Sequence, residues 1–352
     1  MSRLTRPDLA QLPSYVPGRS APGAIKLASN EVPFGPLPGV AEAVAEAAAQ
    51  AHRYPDMAVA ELREALAQRC GVSPERVATG CGSVALAEHL AQATCQPGDE
   101  ILYSWRSFEA YPIIAAGVGA RSVQVPNTPD HGHDLEAMAA AVTDRTRMIL
   151  ICNPNNPTGT ALTRAQLDQF LDTVGEDVLV VIDEAYREFV TDPAVPDGIE
   201  TYGERPNVVV LRTLSKAWGL AGLRVGFLVG QPDVVAAVSK VVTPFSTSAV
   251  AQAAALAALR QPEEMHRRCR VVIAERERVG EHVTALAPGV PASQANFLWL
   301  PLGAQAADFA AACADAGVLV RPFAGEGVRV TIGAPEENDA FLSVAERALR
   351  RD

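Results

Sequence analysis

The sequence predicts an α/β protein: a large unit with a mostly parallel sheet flanked by helices, and a smaller α+β unit. Three observations carry that prediction. Between about Val77 and Val229, apolar runs with the length of buried strands alternate with helix-like stretches. After Phe245 the character changes to long helical stretches interrupted by a few short strand-like runs. The chain has 352 residues and 48% hydrophobic content, enough for two units around a large buried core.

In chain order, the alanine-rich stretch 40–51 reads as an amphipathic helix. The run Val77-Ala78-Thr79 ends in the small residues Gly80, Cys81, Gly82 and Ser83, and a helix-like stretch, 84–91, follows. Strands are expected at 101–104, 122–125, 148–152, 178–182, 208–211 and 225–229, with helices at 134–142 and 165–174 between some of them. Beyond Phe245, 249–259 and 263–286 read as helices. Short strands follow at 297–300, 318–321 and 327–332, with helices at 306–316 and 336–350.

Bulk properties exclude several classes. A formal net charge of −11 and a pI near 5.1 argue against nucleic acid or an anionic membrane as partner. Mean hydropathy is +0.08, and no run approaches the roughly 20 apolar residues needed to span a bilayer. Residues 1–18 hold prolines and charges without an apolar signal core. The six cysteines are scattered, with no C-x-x-C pair, as expected of reduced thiols in a cytoplasmic protein. His131-Gly132-His133-Asp134 lacks further ligands at metal spacing and reads as a solvated loop, so no metal is expected.

The chemistry concentrates at strand ends. Lys216 follows the apolar run Val208-Val209-Val210-Leu211 and lies in a loop of small residues. A lysine in a dry pocket loses its proton more easily and can form a Schiff base with a carbonyl compound. Two hydroxyls, Thr213 and Ser215, and a fixed cation, Arg224, suit a phosphate on the same compound. Pyridoxal phosphate carries both groups. Asn156 ends the run 148–152 through an Asn/Pro/Gly turn, and Asp183 ends the run 178–182. Ligands in open α/β sheets bind at such carboxyl ends. A carboxylate beside a ring nitrogen favours its cationic form, by about 1.4 kcal/mol for each pKa unit. The loop Cys81-Gly82-Ser83 before a helix can turn backbone N–H groups toward an anion. Gly80-x-Gly82-x-x-Ala85 also loosely matches a dinucleotide fingerprint, but the next strand-like run is followed by Trp105 and Arg106 rather than an acid. A dinucleotide would leave Lys216, Asp183 and Asn156 without a role.

The stretch Thr213 to Gly222 resembles the cofactor-lysine signature of the aspartate-aminotransferase-like (fold type I) pyridoxal-phosphate enzymes. The glycine loop, Asn156, Asp183, Tyr186, Lys216 and Arg224 occur in that family's order. The resemblance implies that Lys216 carries pyridoxal 5'-phosphate and later acts as general base. It implies that Asp183 pairs with the ring nitrogen, Tyr186 with the ring hydroxyl, and Asn156 with the ring oxygen and the substrate carboxylate. Arg224 would hold the phosphate with Cys81, Gly82, Ser83, Thr213 and Ser215. Phe108 would stack on the ring, where many relatives have tyrosine. Tyr54, in Arg53-Tyr54-Pro55, would reach the phosphate in a neighbouring subunit, which implies a homodimer with shared sites. Arg329 would clamp the substrate α-carboxylate, Arg321 would lie near the substrate's far end, and Asn30 and Tyr15 would belong to a segment closing over the substrate. The implied division is 55–245 for the large unit, with 1–54 and 246–352 forming the small one.

Lys26 to Glu31 and Phe34-Gly35-Pro36 are similar to the histidinol-phosphate aminotransferase subgroup. Ser29 to Pro38 and Gly80 to Val84 are similar to its actinobacterial aromatic (phenylalanine) amino acid aminotransferase branch. This implies transamination between an aromatic amino acid and a 2-oxo acid such as 2-oxoglutarate, with histidinol phosphate as the alternative donor. Histidinol phosphate needs a distal cation, for which Arg321 is the candidate. An aromatic side chain needs apolar walls, for which Trp105, Phe34 and Phe245 are candidates. Decarboxylases, lyases and racemases on the same scaffold would share Lys216 and Asp183. Arg329 fits a reaction that keeps the carboxylate.

Overall fold

The computed structural model describes residues 6, 7, 9, 12, 14, 18 and 21–349. Its strands are β1 (Ile25–Leu27), β2 (Val77–Cys81), β3 (Glu100–Trp105), β4 (Arg121–Pro126), β5 (Thr146–Cys152), β6 (Leu179–Asp183), β7 (Val208–Thr213), β8 (Val225–Val229), β9 (Phe297–Leu300), β10 (Val318–Phe323) and β11 (Gly327–Thr331). Seven of them form one sheet in the order β2-β8-β7-β6-β5-β3-β4. All are parallel except β8, which runs against both β2 and β7.

Why the central strands are strands is visible in their burial. Along β5 and β6, Ile149, Ile151, Val180 and Ile182 face one hydrophobic core, while Met148, Leu150, Cys152 and Val181 face the other. This alternation of faces explains the uninterrupted apolar sequence, because helices cover both sides. Each fully buried aliphatic side chain contributes about 1.5–3 kcal/mol. The edge strand β4 instead carries the exposed Arg121 and Gln124, which discourages further strand pairing. Helix starts follow cap chemistry. Thr163 and Gln166 form a capping box on helix Arg164–Val174, Ser248 caps Ala249–Leu259 and Asp134 caps Leu135–Ala140.

The reversed direction of β8 follows from its connection. Residues 214–224 link β7 to β8 without an α-helix, and a parallel crossover needs a longer, usually helical, link. The second sheet has the order β1-β10-β11-β9. Its parallel pair β1–β10, with Ile25 opposite Val318 and Leu27 opposite Val320, ties the N-terminal segment to the C-terminal strands. Helix Val40–Ala48 packs on helix Ala249–Leu259 in the same sense.

Periodicity leaves β1 and the helices Ala60–Cys70, Tyr111–Gly117 and Pro232–Val241 unassigned. A three-residue strand has too little pattern to read, and Tyr111–Gly117 opens with Tyr-Pro, which reads as a turn. One expectation is corrected. His133 is not in a solvated loop: it is buried, with Nε2 2.8 Å from the Cys152 carbonyl oxygen. Among the described residues, no helix is long and apolar enough to cross a membrane.

Candidate active site

Parallel strands share a direction, so Trp105, Cys152, Asp183 and Thr213 all end at one edge of the large sheet. A cavity of about 440 Å³ opens there. It is lined by Ser83, Phe108, Asn156, Asp183, Tyr186, Thr213, Ser215, Lys216 and Arg224 from the large-sheet side, and by Asn30, Arg321 and Arg329 from the other. Twelve residues expected from the sequence thus meet in one place.

Lys216 is part of the floor of this cavity, and its Nζ donates to the Ser29 carbonyl oxygen at 3.1 Å. Burial pulls its amine down to about 7, and the guanidinium of Arg329 adds to the effect. Asp183 is buried at the end of β6, and burial pushes its carboxyl up to about 6. The Tyr111 hydroxyl, which donates to Asp183 Oδ2 at 3.0 Å, and the Lys216 charge hold that rise in check. Asp183 Oδ1 is buried with no hydrogen-bond partner. A buried carboxylate oxygen without a donor is costly, so its position is explained by a ligand that donates to it.

One wall reads as an anion cradle. Helix Gly82–Thr94 begins at the cavity, with Ser83 in its first turn. Gly82 has φ 80°, and a Cβ there would meet Arg224 Nη2 at 2.5 Å. Only glycine lets the guanidinium lie against the helix start. Arg224 itself has φ 57°, a left-handed backbone that is uncommon outside glycine and is found at functional sites. Its Nη1 donates to Ser215 Oγ at 3.2 Å.

The opposite wall presents two arginines. Arg329 Nη1 donates to Asn156 Oδ1 at 2.5 Å and Nη2 to the Ala28 carbonyl at 2.8 Å. Arg321 Nη2 donates to Glu109 Oε2 at 2.7 Å. The two arginines are register partners across β10 and β11. Asn30, with φ 55°, donates from Nδ2 to Tyr186 Oη at 2.9 Å. Burial raises the Tyr186 phenol, so it stays a neutral hydroxyl. Phe108 lies edge-on to Tyr111, with ring centroids 5.6 Å apart.

Other expected residues lie elsewhere. Cys81 is half-buried at the end of β2 and, like Gly82, borders rather than lines the cavity. Tyr54 is 83% exposed and stacks on Phe245 at 4.6 Å, away from the cavity of its own chain. Tyr15 falls outside the described residues. None of the three candidate aromatic walls lines the cavity. Trp105 sits under the Arg106 guanidinium, Phe34 against Arg268, and Phe245 against Tyr54. The apolar lining comes instead from small and aliphatic residues such as Val84, Ala110 and Ile113, together with Phe108. Sequence reasoning also missed Ser29, Glu109 and Tyr111. Glu109 and Tyr111 flank Phe108 within three positions, a signal that became readable only once Tyr111 opened a helix.

Comparison with known proteins agrees with this geometry. Residues 22–344 match the family described as aminotransferase class I and II. An aromatic amino acid aminotransferase of Rhodococcus jostii is 58% identical over 98% of this chain and 96% of its own length. Its counterpart in Nocardia farcinica is 59% identical over 98% of this chain and 97% of its own. The crystal structure of histidinol-phosphate aminotransferase from Sinorhizobium meliloti, in complex with pyridoxal-5'-phosphate, superimposes with a TM-score of 0.84 at 30% identity, covering 92% of this chain and 90% of that one. By sequence, fold and the residues gathered at its sheet edge, the chain belongs to the class I and II aminotransferases.

Proposed function

We propose that this aminotransferase works with pyridoxal 5'-phosphate and exchanges amino groups between an aromatic amino acid and a 2-oxo acid such as 2-oxoglutarate. The observation that carries the reading is the pair at the cavity floor: an amine held near neutrality on Lys216, and a buried Asp183 oxygen in want of a donor. The names of the relatives at 58% and 59% identity support the aromatic donor.

When bound, pyridoxal phosphate supplies an aldehyde for the amino group and a cationic ring that accepts the electrons released at the substrate Cα. Asp183 Oδ1 would accept a hydrogen bond from the protonated ring nitrogen and so favour its cationic form. Ser83, Thr213, Ser215 and Arg224 would hold the phosphate, with Gly82 and Cys81 shaping the helix start. Phe108 would cover one face of the ring, and Tyr186 and Asn156 would bond its phenolic oxygen. Arg329 takes the substrate carboxylate in a charge-assisted hydrogen bond. Lys216, whose amine burial lowers to about 7, is readied to lose its proton near neutral pH and would take the proton from the substrate Cα. Ala28, Ser29 and Asn30 close the cavity from above and exclude water.

The exposed Tyr54–Phe245 stack supports a homodimer in which Tyr54 completes the partner's phosphate site. The β1–β10 pairing supports a division in which 1–54 and 246–352 form the small unit and 55–245 the large one.

The test compares amino transfer to 2-oxoglutarate from phenylalanine and from histidinol phosphate on purified holoenzyme. The expected outcome is a higher kcat/KM for phenylalanine, and a borohydride-reduced cofactor label on the Lys216 peptide. Preferential use of histidinol phosphate would overturn the aromatic assignment, and a label elsewhere would overturn the role of Lys216.

A further inference from the structure

The turn that carries Asn156 and the loop that carries Phe108 meet at one buried side chain, Asn155, which does not itself line the cavity. Its Nδ2 donates to the Arg106 carbonyl oxygen at 3.1 Å and to Thr158 Oγ1 at 2.9 Å, and its Oδ1 accepts from Ser107 Oγ at 2.7 Å. A carbonyl can only accept, so the Arg106 oxygen fixes which way the amide points. The direction continues beyond it. The Thr160 hydroxyl donates to the His131 carbonyl at 3.1 Å, so the Thr158 hydroxyl, 2.9 Å from it, donates to Thr160. Asn155, Ser107 and Thr158 are each no more than 1% exposed. So deep a polar group is tolerated because its partners are complete.

Each segment also has bonds of its own. The turn is closed by the Asn155 N–H on the Thr160 carbonyl at 2.8 Å and the Gly159 N–H on the Asn155 carbonyl at 2.7 Å. Asn153 Oδ1 accepts from the Leu162 N–H at 2.8 Å. On the loop, Asn127 Nδ2 donates to the same Arg106 oxygen at 2.9 Å. What the Asn155 amide adds is the link between the two. Phe108 follows directly on Ser107, and Asn156 on Asn155.

We propose that Asn155 is a positioning residue: its amide locks the Phe108 loop to the Asn156 turn, so that the group facing the cofactor ring and the group at its phenolic oxygen keep one fixed separation. The inference rests on the pyridoxal-phosphate reading. A planar ring is gripped at face and edge together only when both partners stand within about half an ångström of their places. A loop free to drift from the turn gives up one contact or the other.

The decisive variant is Asn155→Ala, read on pyridoxal phosphate itself at temperatures well below unfolding. Its apparent dissociation constant for the cofactor is expected to rise about tenfold or more over the parent holoenzyme, and the circular dichroism of the bound cofactor's visible band to change. A purely structural role would lower the melting temperature and leave that band alone. In a Phe108→Ala/Asn156→Ala background the same substitution should add less than about twofold, because the groups it positions are gone. A constant within about threefold of the parent, an unchanged visible band, or an undiminished loss in that background overturns the proposal. Should Asn155→Ala fail to fold, Ser107→Ala decides, since it removes one of the two bonds across the link. It is expected to weaken cofactor binding at least about threefold, whereas an unchanged constant overturns the proposal. A parent protein that takes up no pyridoxal phosphate sinks the cofactor reading itself. A parent that binds it, with variants that bind it equally well, sinks only the role of Asn155.

Discussion

Replacing Tyr111 by Phe removes one oxygen from the core and tests how Asp183 is kept charged. The Tyr111 hydroxyl donates to Asp183 Oδ2 at 3.0 Å, and both residues are buried. A hydrogen bond to a charged group is worth about 1.5–3 kcal/mol, which corresponds to roughly one to two pKa units. The Asp183 carboxyl stands at about 6 with that bond in place. Without it the carboxyl rises further, so its anion is held less firmly and pairs with a ring cation less well. The same energy, if expressed fully in the transition state, slows transamination by about 10- to 150-fold. The Tyr111 ring, 5.5 Å from Tyr103 and 5.6 Å from Phe108, keeps its edge contacts as Phe, so the fold should survive. Single-turnover rates with phenylalanine, measured from pH 6 to 9 beside a melting curve, read the effect. The variant should be slower and should recover partly as pH rises and the carboxyl ionises. Rates within about twofold of the parent at every pH would refute this account of Asp183.

Two further predictions use the cavity floor. Lys216→Ala should abolish turnover and borohydride labelling together, as followed by amino transfer and peptide mass; a normal rate removes Lys216 from its role. Asp183→Asn should slow turnover severely yet stabilise the cofactor-free protein. The folded carboxyl is raised to about 6 from the ordinary 3.8. The folded state therefore binds that proton more tightly, and ionising it destabilises the fold as pH rises from about 4 to about 6. The cost is absent below that window and complete above it, about 3 kcal/mol at most. Urea titrations at pH 4 and pH 8 should show the Asn variant gaining on the parent chiefly at the higher pH; parallel curves would contradict the burial argument.

Much of this site is legible in the sequence because it sits where apolar runs stop. Asp183 and Thr213 each close a buried strand, and Lys216 and Asn156 follow within a few residues. Strand ends at one edge of a parallel sheet converge whatever lies between them. The direction of β8 is not legible from its composition, since Val225 to Val229 is as apolar as its parallel neighbours; only the short link from Thr213 reveals it. Two long-range pairs at the site are invisible for another reason. Tyr111 and Glu109 act through partners 72 and 212 positions away, and no local pattern marks such pairs. Large aromatics read from sequence as the apolar walls, yet Trp105 and Phe34 are engaged by arginines outside the cavity.

The peptide Ala28-Ser29-Asn30 touches Arg329, Lys216 and Tyr186, whose contacts span 301, 187 and 156 positions of chain. During synthesis the seven strands of the large sheet emerge well before Val318 to Val320, the strand partners of β1 among the described residues. Vectorial folding therefore leaves this peptide waiting for almost the whole translation. A ribosomal product cut short before β10 carries every strand of the larger sheet yet lacks the strand on which β1 seats this roof.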